Sequence, residues 1–179
     1  MPGYLPCGIA SPMDACMPSL SPHSMPIDGI AWSWRALAPD ALAPLLPFVM
    51  AADPGGTEAL YWQRDATLWL EGRTTPRGIV GVQCLAGLTL GLFFYAMPQP
   101  IDGQRLFAVE RLRWLELARP HRSLDAVLAI VTESARQLAC DEVHILPHAA
   151  VERRAKEALD ERADGMGFTA DGSGWRKPL

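Results

Sequence analysis

Between Arg105 and Leu124 the chain gathers residues suited to binding an anion and moving a proton. The segment RLFAVERLRWLEL, residues 105–117, has the composition of a strand, breaks at Ala-Arg-Pro-His-Arg-Ser, and passes into a helical pattern at Leu124. The first turn of a helix leaves backbone N–H groups without intrahelical partners and carries the positive end of the helix dipole, so it attracts phosphate-like anions. Arg119, His121, Arg122 and Ser123 add charge and donors at that point. Asp125 opposes them, because its carboxylate in the first helical turn already sits at the favourable end of the dipole. A solvated basic loop joining two elements is the alternative reading.

Glu110 is the first candidate for a general base, since apolar strand neighbours desolvate a carboxylate and raise its pKa. Pairing with Arg111 or Arg113, or simple exposure on a sheet face, competes with that role. Glu116 is a second candidate of the same kind. His144 and His148, in and just after EVHILP, have the chemistry of a base or of a cleft mouth, with ordinary core or surface histidine as the alternative. Trp32, Trp34, Trp62, Trp69 and Trp114 are spaced as packing stripes, and a pocket for an aromatic substrate is the weaker reading. Cys84 and Cys140 sit in apolar patterns with no neighbouring His or basic residue, which argues against an activated thiolate. No His, Cys, Asp and Glu spacing matches a metal site.

The elements that must position these groups follow from periodicity. Ile30, Trp32 and Trp34 alternate with Ala31, Ser33 and Arg35, which predicts a half-buried strand. Residues 38–53 have helical composition interrupted by Pro44 and Pro47, and residues 58–71 form a second helical stretch capped by Thr57 and ended by Gly72. The uncharged run from Gly78 to Met97 is long enough to span a bilayer. Its glycines and its Val, Ile, Thr, Phe and Tyr favour instead two buried antiparallel strands, Ile79–Leu85 and Leu88–Ala96, turning at Ala86 and Gly87. In strict alternation Phe107 and Val109 fall opposite Leu112 and Trp114, and Leu115 and Leu117 return to the first side, so a bulge is expected within that strand. Leu124, Val127, Leu128, Val131, Ala135 and Leu138 form one apolar helical stripe. EVHILP reads as a short strand, AVERRAKEALDERADG as an amphipathic surface helix, and GFTADGSGWRKPL as a hairpin around Asp171 to Gly174.

Residues 1–28 carry a proline every few positions and no period, which predicts a flexible tail ahead of one domain over residues 29–179. The tail lacks the basic and apolar regions of a secretory signal, and Met13, Met17 or Met25 is an alternative start. At 179 residues and 49% apolar the chain fills one core. A net charge of −4, with no basic track interleaved with aromatics, argues against nucleic acid as a partner. Cys7, Cys16, Cys84 and Cys140 show neither CxxC spacing nor dense pairing, which points to reduced thiols and a cytoplasmic location. Cations that are nearly all Arg, with Lys156 and Lys177 as the exceptions, hint at a bacterial source of high GC content.

The order strand, two helices, three strands, the Arg-Pro-His-Arg-Ser turn, helix, strand, helix and a closing Gly167-Phe168 strand resembles the Gcn5-related N-acetyltransferase superfamily from Ile30 to Leu179. The resemblance implies an α+β fold with a mixed, mostly antiparallel sheet flanked by helices. It implies acetyl-CoA as cosubstrate, an amine as acceptor, no metal and no membrane, and it allows a homodimer. Leu115, Glu116 and Leu117 would face pantetheine with backbone groups, Arg119 to Leu124 would form the pyrophosphate turn, and Glu110 or Glu116 would take the amine proton. The turn is a degenerate form of the family motif: counting from Arg119, Arg122 and Leu124 occupy its small-residue places. Ala163 stands where the family often carries the Tyr that reprotonates the thiolate. A non-catalytic binding module on the same fold is the second reading, and a single-pass membrane protein through residues 78–97 is the third.

Overall fold

The computed structural model describes residues 23–27, 29–37, 77–83, 89–100, 102–114, 122–150 and 153–179. Among these, eight strands form one sheet in the order β1-β2-β3-β4-β5-β6-β8-β7. They are β1 (His23–Ile27), β2 (Ile30–Ala36), β3 (Arg77–Gln83), β4 (Thr89–Ala96), β5 (Leu106–Trp114), β6 (Glu142–Ile145), β7 (Thr169–Ala170) and β8 (Trp175–Pro178). Two helices, α1 (Arg122–Gln137) and α2 (Arg153–Ala163), flank the sheet, and a 3₁₀ turn, Asp164–Met166, ends α2. Neighbouring strands are antiparallel except β5 and β6, which are parallel because α1 carries the chain across between them.

The sheet begins inside the stretch expected to be a tail. His23–Ile27 pairs along its whole length with β2, and Gly29 takes φ +74° in the connection. The Asp28-Gly29 pair is a hairpin signal that the proline-rich composition around it conceals. The two strands expected from the apolar run are present as β3 and β4, in antiparallel register from Arg77–Ala96 to Gln83–Thr89. The single-pass helix is thereby corrected: backbone groups in this run are satisfied by the ladder, and no helix among the described residues is long and apolar enough to cross a membrane. The helices expected over 38–53 and 58–71 and the turn at Ala86 and Gly87 lie outside the described residues.

The phase change in β5 is a bulge. Val109 pairs with Tyr95 and Arg111 with Phe94, which leaves Glu110 as the extra residue. The bulge returns Leu112 and Trp114 to the face of Phe107 and Val109, and all four enter one buried cluster with the α1 stripe of Leu124, Val127, Leu128 and Val131. Tyr95 stacks on Phe107 at 4.6 Å within that cluster. Helix α1 lies close to β4 because position 91 is glycine; a Cβ there would collide with the Val127 side chain. The opposite face also carries fully buried side chains, Ile79, Leu92 and Phe94.

Candidate active site

β5 and β6 hold parallel register for four pairs, from Leu106–Glu142 to Val109–Ile145, and then part. The Leu146 N–H still reaches the Val109 carbonyl at 3.0 Å. Pro147 has no N–H to extend the ladder, and with proline at its second position the segment Leu146–Ala149 makes a turn closed by Ala149 N–H to the Leu146 carbonyl at 2.9 Å. On the facing strand the same level holds the Glu110 bulge. A bulge on one side and a proline turn on the other therefore leave a gap in the β5–β6 ladder at one level.

The opening is bounded. Leu112 N–H donates to the Ala149 carbonyl at 2.9 Å, so the loop after β6 returns to β5 and occupies that amide. Arg111 bridges the mouth, with Nη1 donating to the Glu110 carbonyl at 3.2 Å and to the His148 carbonyl at 3.4 Å. Burial, and then the Arg111 charge, hold the His148 imidazole below its ordinary value of 6.5. Glu110 is half-buried, whereas Arg113 is 4% exposed.

Helix α1 starts at the same end of the sheet, as the register shows. Trp34, Val82, Gly91 and Trp114 lie in one transverse row, and Val127 sits over Gly91. Asp125 in the first turn of α1 does not stand alone: Arg162 from the last turn of α2 grips it with Nε at 2.8 Å and Nη2 at 2.5 Å. This two-pronged pair neutralises the carboxylate that would otherwise compete with an anion at the helix start. Sequence reasoning missed Arg162, which is thirty-seven residues from its partner and reads as one more surface charge.

Of the residues expected in the site, Leu115, Glu116, Leu117, Arg119 and His121 lie outside the described residues. Arg122 is the first residue of α1, and Ser123 and Leu124 follow in its first turn, not in a loop before it. Both are fully buried, and the Leu124 side chain belongs to the core, so its backbone N–H is the group it can offer a ligand. Glu110 is at the opening. His144 lies within β6 and His148 in the turn after it. Cys140 is a buried free thiol pushed above its ordinary range by burial, which suits a packing role. Ala163 is buried at the end of α2, where its carbonyl accepts from Phe168 N–H at 2.9 Å. Among the described residues no group of three His, Cys, Asp or Glu side chains is placed to hold a metal ion.

No protein-family model matches the chain, and no curated protein sequence matches it. Solved structures do. The acetyltransferase of the GNAT family from Listeria monocytogenes 4b F2365 superposes with TM-score 0.56 at 11% identity, covering 88% of this chain and 100% of that one. The chain has the fold of the Gcn5-related N-acetyltransferases. Ribosomal-protein-alanine N-acetyltransferase from Brucella melitensis biovar Abortus 2308 gives 0.55 at 15% identity, with 78% and 93% covered. Spermidine N-acetyltransferase from Vibrio cholerae gives 0.52 at 9% identity, with 83% and 92% covered. The three share a fold with this chain, and their names share a reaction type, acetyl transfer to nitrogen.

Proposed function

We propose that the protein is an acyl-CoA-dependent N-acyltransferase that moves an acetyl group to an amine by direct attack. The observation that carries the reading is the parting of β5 and β6 at the Glu110 bulge, at the sheet end where α1 begins, on a fold shared with N-acetyltransferases. Acetyl-CoA, when bound, supplies the activated acyl group. The residues present suit such a molecule, because the ladder opens beside a helix start whose acidic residue is already neutralised. Leu115, Glu116 and Leu117 would follow pantetheine with their backbone, and Arg119, His121, Arg122, Ser123 and Leu124 would hold the pyrophosphate through charge and N–H groups together. Glu110, or less favourably Glu116, accepts the amine proton. The protein acts in a bacterial cytoplasm, on an amine, as a monomer or homodimer.

Two observations favour a second reading, a non-catalytic module on the same fold. The Leu112 amide is already taken by Ala149, and Ala163 stands in place of the expected tyrosine. Calorimetric titration with acetyl-CoA and CoA separates the two. The enzyme reading predicts saturable binding that Arg119→Glu with Arg122→Glu abolishes; absence of binding at millimolar ligand removes it.

A further inference from the structure

His144 is 6% exposed on β6, one strand from the bulge and two residues before the point where β5 and β6 part. Its Nε2 lies 3.0 Å from the Ser173 carbonyl and 3.4 Å from the Ser173 hydroxyl. A carbonyl only accepts, so this contact places the ring hydrogen on Nε2 and leaves the Nδ1 lone pair to bind a proton. Among the described residues Nδ1 has no hydrogen-bond partner. The tautomer is built into the hairpin between β7 and β8. Gly174 takes φ +138° and presses against the Ile145 carbonyl where a Cβ would collide, which brings the preceding Ser173 carbonyl onto the ring. Asp171 pins the tip: it accepts from Ser173 N–H at 2.9 Å and from the Ser173 hydroxyl at 2.6 Å, and it pairs with Arg176 Nε at 2.7 Å. Arg176 also bonds Glu142 at 3.0 Å.

A buried imidazole with one nitrogen locked by the backbone and the other left for a proton has the arrangement of an oriented base. Resting on the acyltransferase reading, we propose that His144 is the group that draws the amine proton away from Glu110. Ladder pairing of Ala108 with His144 places the Glu110 and His144 backbones on the order of 8 Å apart, from ~3.3 Å per residue along a strand and ~4.8 Å between strands, and the proposed relay runs between their side chains through water. In the full step the ammonium gives one proton to Glu110 and thence to His144. The freed lone pair forms the N–C bond to the thioester carbonyl carbon. The C–S bond breaks with its electron pair on sulfur, and the second proton lost from nitrogen ends on the thiolate. Among the described residues Arg176 pairs with His144 across the β6–β8 ladder, Glu142 and Asp171 are ion-paired with Arg176, and Glu110 and Arg111 lie on β5.

His144→Gln keeps a donor near the Nε2 position for Ser173 and removes the base. Long-range ¹⁵N spectra of the full chain, with His144 assigned by its absence in H144Q, are expected to show an Nε2–H tautomer. With acetyl-CoA and a panel of small primary amines, H144Q is expected to bind acetyl-CoA as the wild type does, to lose about a hundredfold in thiol release, and to regain rate with added imidazole. An Nδ1–H tautomer, or an H144Q rate equal to the wild type in a protein that does turn over, overturns the relay alone. A wild type that binds no acetyl-CoA overturns the acyltransferase reading beneath it.

Discussion

Arg162 sets the charge that the first turn of α1 presents. With it, Asp125 is half of a two-pronged ion pair; without it, a partly buried carboxylate faces the helix start alone. Arg162→Met is therefore predicted to weaken acetyl-CoA binding by roughly fivefold, the scale of one charge at a helix terminus, and adding Asp125→Asn is predicted to restore it. Calorimetry on the single and double variants checks both, and equal affinities throughout would remove the charge argument. His148 makes a pH prediction. Its folded pKa is lowered below 6.5, so between the folded value and 6.5 the unfolded chain binds more protons and stability rises with pH. The contribution is complete above 6.5 and is lost as pH falls through the folded value. Denaturant midpoints measured across that interval are predicted to fall on acidification in the wild type and to fall less in His148→Gln. At this scale the sequence was partly legible. Glu110 stood out as a carboxylate in an apolar strand. Arg162 and Ser173 did not, because each acts on a residue twenty-nine or thirty-seven positions away and no local pattern marks such a pair.

The elements explain why the opening lies where it does. Two local devices meet at one level: the extra residue Glu110 in β5, and Pro147 at the second position of the turn after β6. The bulge was readable, because Phe107 and Val109 fall out of phase with Leu112 and Trp114 unless a residue is inserted. Pro147 falls at the end of the strand read over EVHILP, and its part as a turn residue depends on which strand lies alongside, which is tertiary information. β1 was hidden for a different reason: prolines dominated the composition of the stretch, and the short Asp-Gly hairpin inside it was overlooked. The first turn of α1 was placed too late by two residues, since Arg122 and Ser123 resemble loop residues and are helical only because the apolar stripe behind them docks on β4. That docking has a test. Gly91→Ala drives a methyl group into Val127, and the overpacking is predicted to cost about 1–3 kcal/mol, seen as a lower denaturant midpoint. Gly91→Ala with Val127→Ala is predicted to recover part of the loss. A single variant as stable as the wild type would mean that α1 sits further from the sheet.

For the whole molecule, the choice between a membrane helix and a buried hairpin over residues 78–97 decided the fold. Val, Ile, Thr and the aromatics resolved it in favour of strands, and the remaining order of elements then allowed few sheet topologies. A cleft of ≈ 310 Å³ lies beside β1 and β2, lined by His23, Ser24, Ser33, Trp34, Arg35 and Gln83. It is three strands away from the opening and has no part in the proposed coenzyme binding. The most direct test of the central claim is a ¹H–¹⁵N spectrum recorded while acetyl-CoA is added. The account predicts that amide shifts concentrate at Glu110–Trp114, Leu146–Ala149 and the first turn of α1. Shifts confined to β1 and β2, or none at saturating ligand, would contradict it.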